Sequence, residues 1–320
     1  DYFVETPPPD TTTLESLMVA SSPTKSKDFY LLPDSDDYDN IPQDPLNPLT
    51  GAKVEVGKLI YHDPAFATEG IALRAKTWSC ASCHHARAGF KSGMIQGIGE
   101  GGEGFGLKGE TRGWFDPEIG TQDADVQPVT SPTILNVAFQ DVMLWNGQLG
   151  NASNGIINVG IDPEILMTEG TPKVANAEGL SGIETQAIAG TGVHRILGFP
   201  PELEDSDYYQ MLLDAFPEYS RDELHKSSTR AIAAFERTVL ANQSPFQLWL
   251  RGDTDAMSEK EIAGAEVFFG DGGCVACHQG AAFSSSVGAT ADQVFFAVGF
   301  ADLDFNEIIG GVSDPVRLGR

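Results

Sequence analysis

The stretch CASCHH, residues 80–85, places two thiols and an imidazole, Cys80, Cys83 and His84, within five positions. A second copy, CVACH at 274–278, supplies Cys274, Cys277 and His278, and the two segments hold all four cysteines of the 320-residue chain. Side chains three apart lie on one face of a helical turn. Two cysteines so placed can each add to a vinyl group of a porphyrin while the adjacent histidine reaches under the ring to the iron, and C-x-x-C-H is an attachment signal of c-type haem. Two such segments call for two covalently bound haem c groups, with His84 and His278 as the iron ligands.

Zinc is the first rival, but structural zinc motifs hold their cysteine pairs within a few tens of residues and need no histidine after each. Here about 190 residues separate the pairs. The spacing also leaves open a thioredoxin-like dithiol or two disulfides.

Composition narrows the partners. The chain carries 46 acidic against 20 basic side chains, a formal net charge of -26, which repels phosphate backbones and anionic membranes. Nucleic acid is excluded as a partner on that ground, whereas a basic protein or a small cationic electron carrier fits; the same charge also serves solubility. No run of eighteen apolar residues offers a membrane span. The first residues lack the basic and apolar regions of a signal peptide and read as an already processed start. Covalent haem attachment implies export, so a periplasmic or extracellular location is expected.

Along the chain, 1–50 is rich in Pro, Thr, Ser and Asp and reads as an extended N-terminal arm or leader with little core of its own. Helical potential precedes each cysteine motif, in AKVEVGKLIYHDPAF (52–66) and SEKEIAGAEVFFGDGG (258–273), a weak internal repeat. The glycine-rich GMIQGIGEGGEGFGLKGE (93–110) matches no phosphate-binding loop and reads as a flexible lid beside the first haem. In 221–243, Leu224, Ala231, Ile232, Phe235, Val239 and Leu240 fall on a helical stripe. The expected fold is mainly α, with two tandem cytochrome c-like haem domains and long loops: 51–250, containing an inserted loop at 146–182, and 251–320.

The segments WSCASCHHARAGF, SPTILNVAFQDVMLWNGQ, IETQAIAGTGVHR, AIAAFERTVLANQSPFQLWLRGD and GAEVFFGDGGCVACHQG occur in the order found in bacterial dihaem cytochrome c peroxidases and their MauG-like relatives. Over about residues 53–300 the chain resembles that family. The resemblance implies two mainly helical haem domains with calcium between them, and reduction of hydrogen peroxide by electrons from a small donor protein, a cytochrome or a cupredoxin. It also implies that the His84 iron meets peroxide, that the His278 iron receives electrons, and that homodimers or larger assemblies form. Cleaving the O–O bond needs a proton shuttle. The family's LEEQA-like motif matches IETQA, which assigns that role to Glu184. A MauG-like high-valent-iron oxidase and a non-catalytic electron-transfer cytochrome are the alternatives.

The departures from the family pattern carry expectations of their own. No histidine lies between His85 and His194, and Glu100 stands near the place of the family's capping loop histidine. The first haem is therefore open or capped by something else, Met94 being the nearest alternative. Leu135 takes the place of a tryptophan that bridges the haems, with Trp145 or Trp78 as substitutes. No Met, His or Tyr occurs in 279–320, so the second iron's sixth ligand is expected from elsewhere, Met257 among the candidates. Of the remaining histidines, His194 best suits a distal or propionate-binding role; His62, His85 and His225 read as structural.

Overall fold

Helices dominate the computed structural model, which describes residues 9–68, 75–114, 124–127, 130–140, 142–144, 149–150, 180–196 and 199–284. In chain order they are α1 (Thr12–Ser21), α2 (Gly51–His62), α3 (Cys80–Cys83), α4 (Gly182–Val193), α5 (Asp207–Ala215), α6 (Leu224–Arg237), α7 (Pro245–Leu250) and α8 (Glu259–Phe269). Strand among the described residues is confined to two antiparallel ribbons of two-residue strands. These are β1 (Gly102–Glu103) with β2 (Gly113–Trp114), and β3 (Val142–Met143) with β4 (Leu149–Gly150). The expectation of a mainly α chain is met. No helix of the described residues is long and apolar enough to cross a membrane.

Local signals start these helices where the apolar pattern asks for them. Thr50 caps α2 by accepting from the Lys53 amide, and Ser244 caps α7, whose first residue is Pro245. Before α8, Ser258 accepts from the Glu261 amide while the Glu261 carboxylate accepts from the Ser258 amide at 2.8 Å, a reciprocal capping box. The helical segments expected ahead of each cysteine motif are α2 and α8.

Helix α6 is the hub of the first core. Leu224, Ala231, Ile232 and Phe235 of its expected stripe are buried, but so are Ser228, Arg230, Glu236 and Arg237, because α2, α4 and α5 pack around it. Val239 and Leu240 lie beyond its end. Helix α2 crosses it at Gly57, where a Cβ would stand 1.8 Å from the Ala231 carbonyl oxygen, so only glycine permits this approach. The core continues through Ile60, Tyr61, Trp78, Ile183 and Phe216.

The N-terminal segment departs from expectation. In place of an arm with little core, residues 1–50 contribute Leu14, Met18 and Tyr30, which are fully buried and share a second core with Trp249, Leu250, Ile262 and Phe269. The reason is the i, i+4 spacing of Leu14 and Met18, which gives α1 an apolar stripe to lay against α8. Farther along, Gln247 binds the segment in register, accepting from the Leu32 amide at 2.8 Å and donating to the Tyr30 carbonyl at 2.9 Å. Asp44 accepts from the Ser181 amide at 2.6 Å, at the start of α4.

The glycine-rich stretch is likewise fastened rather than a loose lid. The Arg112 guanidinium donates to the carbonyls of Thr77, Ile98, Gly99 and Gly104, and the fully buried Glu100 is ion-paired with Arg195 just past α4. Most of the inserted loop 146–182, Trp145, and the chain beyond 284 lie outside the described residues.

Candidate haem cavities

Cys80 and Cys83 sit on α3, a single turn opened by Ser79, whose amide donates to Ser82 Oγ at 3.0 Å. Neither cysteine is in a disulfide. Burial pushes both thiols up to about 12, so they rest as neutral S–H groups, the reverse of the lowered thiol of a redox dithiol. Both border a small cavity of about 80 Å³, together with His84 and Trp78.

His84 is held in the manner of a metal ligand. Its Nδ1 lies 2.9 Å from the Pro132 carbonyl oxygen and 3.2 Å from that of Phe90. A carbonyl only accepts, so Nδ1 carries the proton and Nε2 keeps the lone pair that a metal takes. Burial also lowers the imidazole below its ordinary value, which favours that neutral form. Ser131 Oγ, buried and without a hydrogen-bond partner among the described residues, borders the same cavity. At Gly97 a Cβ would stand 2.9 Å from Cys83 Sγ, so glycine keeps the thiol's surroundings clear. Neutral thiols, a free Nε2 and an unpartnered hydroxyl around one cavity fit a covalently attached haem.

One face of α4 also borders the cavity. Gln186, Ala187, Gly190, Thr191 and His194 border the cavity, at i, i+1, i+4, i+5 and i+8. The imidazole of His194 lies with Nδ1 2.8 Å from Asp125 Oδ2, and its carbonyl accepts from Trp78 Nε1 at 2.8 Å. Trp78 is buried core as well as cavity wall.

Glu184 does not border the cavity, contrary to the expectation for a proton shuttle. It stands two residues before Gln186, about 200° around the helix axis, and there it is fully buried against α6. Arg237 grips its carboxylate through Nε at 2.9 Å and Nη2 at 2.6 Å, and Asn47 Nδ2 donates to it at 3.2 Å. Two other carboxyls do border the cavity, Asp125 and the neighbouring Glu236, the latter pushed up to about 8 by burial, with the charge of Glu184 adding to the effect. Asp125 carries no sequence signal of its own and Glu236 only its place beside Arg237 in AFERT, whereas Gln186 stands in the same IETQA motif as Glu184. Among the described residues neither Met94 nor Glu100 borders the cavity, and of the glycine-rich stretch Gly99 does. His62 bonds the Lys58 carbonyl and His85 packs on Phe105, both away from it.

The second motif repeats the histidine geometry in other surroundings. His278 Nδ1 lies 3.0 Å from the Phe283 carbonyl oxygen, which again leaves Nε2 free. Cys274 and Cys277 are exposed and unpaired, with Gly273 in the left-handed region at φ 64° ahead of them. A cavity of about 560 Å³ adjoins His278, walled by Phe246, Phe268, Phe269, Phe283 and Met257. Two residues apart on the chain, Ile134 borders the first cavity and Asn136 the second. Leu135, in the expected place of a bridging tryptophan, is partly buried between them.

Comparison with known proteins agrees with this chemistry. Over 233 residues the chain is 27% identical to the cytochrome c peroxidase Ccp of Escherichia coli K12, covering 73% of this chain and 38% of the relative. It is 26% identical over 236 residues to the cytochrome c551 peroxidase of Pseudomonas aeruginosa, 73% of this chain and 52% of that one. To the methylamine utilization protein MauG of Methylorubrum extorquens it is 23% identical over 240 residues, 75% and 53% of the two chains. The chain thus spans about half the length of these relatives or less. A family model described as di-haem cytochrome c peroxidase matches residues 51–255, well over half of the chain, and by that match the chain belongs to the dihaem cytochrome c peroxidase family.

Proposed function

We propose that this chain is a dihaem c-type cytochrome that reduces hydrogen peroxide to water with electrons from a small redox protein. The observation that carries the reading is His84, whose Nδ1 proton is committed to the Pro132 carbonyl while two neutral thiols border the same cavity. Cys80 and Cys83 would hold the first haem and His84 Nε2 its iron; Cys274, Cys277 and His278 would hold the second. Bound there, haem supplies a redox-active iron for peroxide cleavage and electron relay. The protein's own part is to exclude water with Trp78 and Ile134, to orient His84, and to pass electrons across the segment 134–136. The net charge of -26 favours a basic donor protein. Calcium, homodimer formation and a periplasmic or extracellular location belong to the same reading by resemblance to the family.

The test begins with the haem content of the wild type and of Cys80→Ser/Cys83→Ser. Two covalent haems per chain falling to one is the expected result. Steady-state oxidation of a reduced small cytochrome by peroxide follows. Haem-loaded protein that leaves the donor reduced sinks the peroxidase reading. Oxidation of an added organic or protein substrate, with no donor consumed, would identify a MauG-like oxidase instead.

A further inference from the structure

A histidine–carboxylate pair borders the same cavity as His84. His194 ends α4, its Nδ1 lies 2.8 Å from Asp125 Oδ2, and Asp125 Oδ1 accepts from Gln127 Nε2 at 3.0 Å. Gln127 Nε2 also lies 3.2 Å from His194 Nδ1, but it already donates to Asp125, and the nearer carboxylate only accepts, so the imidazole proton is on Nδ1 and Nε2 is the basic atom. The Trp78 indole holds the His194 carbonyl from behind. The Cδ2 atom of the ring lies towards Gly190: a Cβ built at Gly190 meets it at 4.0 Å and nothing nearer. Gly190 and His194 both border the cavity, as do Cys80, Cys83 and His84.

We propose that His194, oriented by Asp125, is the group that takes and returns the proton at this cavity. The inference rests on the reading of His84 as an iron ligand. Other polar groups on the wall are less suited to the task. Glu184 lies off the wall and is spent on Arg237. Glu236, pushed up to about 8 by burial, already holds its proton at neutral pH and can give but not accept. Gln186 offers an amide, which does not exchange protons on this timescale of chemistry. An imidazole whose far nitrogen is fixed by a carboxylate combines the right tautomer, a basic lone pair and a fixed direction.

The proton balance is simple. Nε2 gains a proton as one O–H bond of hydrogen peroxide breaks and gives it to the other oxygen, which departs as water with the electron pair of the O–O bond. Two electrons from the reduced donor protein and two protons from solvent convert the remaining oxygen to the second water. His194 ends as it began.

The experiment uses the haem-loaded protein with His194→Gln and Asp125→Asn, and its first probe is cyanide. Hydrogen cyanide must lose its proton to bind ferric haem, so its association rate reports a nearby base whether or not peroxide is a substrate. Stopped-flow association is expected to slow at least about tenfold in His194→Gln and by less in Asp125→Asn, with the electron paramagnetic resonance spectrum of the oxidised protein unchanged. Peroxide turnover is expected to fall about 10²–10⁴-fold in His194→Gln. An unchanged cyanide rate overturns the inference. So does a change from a low-spin to a high-spin signal on substitution, which would make His194 an iron ligand rather than a base. A slowed cyanide rate in a protein that turns over no peroxide leaves the inference standing and removes the proposed function.

Discussion

Around residues 80–84 Cys83 is buried, the imidazole is pinned to Pro132, and a wall of Gln186, His194 and Glu236 brings polar groups to the cavity. Around residues 274–278 both cysteines are exposed, and the adjoining cavity is larger and walled by phenylalanines, among the described residues. One five-residue signal therefore sits in two different environments. Proton transfer needs placed polar groups held away from bulk water, whereas electron exchange with a docked protein needs neither. Under the proposed function the first region suits peroxide and the second suits the donor.

The largest expected effect breaks the comparison at the ligands themselves. His84→Ala should abolish the reaction with peroxide even when reduced protein is mixed with peroxide in a single turnover. His278→Ala should stop donor-driven turnover while the first haem of the oxidised protein still binds cyanide. Equal loss of cyanide binding in both variants would show that the two regions are not functionally distinct.

Next in size is the buried pair that turns Glu184 away from the cavity. Arg237→Met leaves that carboxylate buried and uncompensated and should cost about 3–5 kcal/mol in urea unfolding. Glu184→Gln should also lower stability, yet leave the peroxide rate per haem-loaded molecule unchanged. A lowered rate with unchanged stability would return Glu184 to the role its motif implied.

A smaller effect tests the first core alone. Gly57→Ala forces α2 from α6, since the added Cβ would meet the Ala231 carbonyl at 1.8 Å, and should cost about 1–3 kcal/mol. The tryptophan fluorescence change contributed by Trp249 in the second core should keep its midpoint in that variant if the two cores melt separately. A common shift of all probes would mean that the N-terminal segment joins them into one cooperative unit.

The gentlest test is pH. Glu236 has an ordinary value of 4.5 and is pushed up to about 8 in the folded chain. Between those values the folded protein holds one proton more than the unfolded chain. The stability from its protonated carboxyl is therefore complete below about 4.5 and is lost as pH rises through about 8, at about 1.4 kcal/mol per unit. Glu236→Gln should flatten that slope in unfolding experiments on the apoprotein. An unaltered slope would place the titration elsewhere.

How much of this was legible in the residues differs from feature to feature. Helices α2 and α8 could be read because their apolar spacing and caps are local, as could the mainly α class. Helix α1 was missed because Leu14 and Met18 stand in a segment rich in Pro, Thr and Asp, and their burial depends on α8, more than two hundred residues on. The glycine-rich stretch looked loose because nothing near it in sequence hints that Arg112 bonds four carbonyls or that Glu100 finds Arg195.

By itself the sequence placed Cys80, Cys83 and His84, and again Cys274, Cys277 and His278, on one side of a single turn by local geometry alone, the pattern of a haem attachment signal. Only the tertiary structure decided which polar groups line the first cavity. The rotation of α4 against α6 sends Glu184 to Arg237, and folding carries Asp125 across 69 positions to His194. A motif names side chains, but the direction each one faces is set by packing against partners distant in the chain.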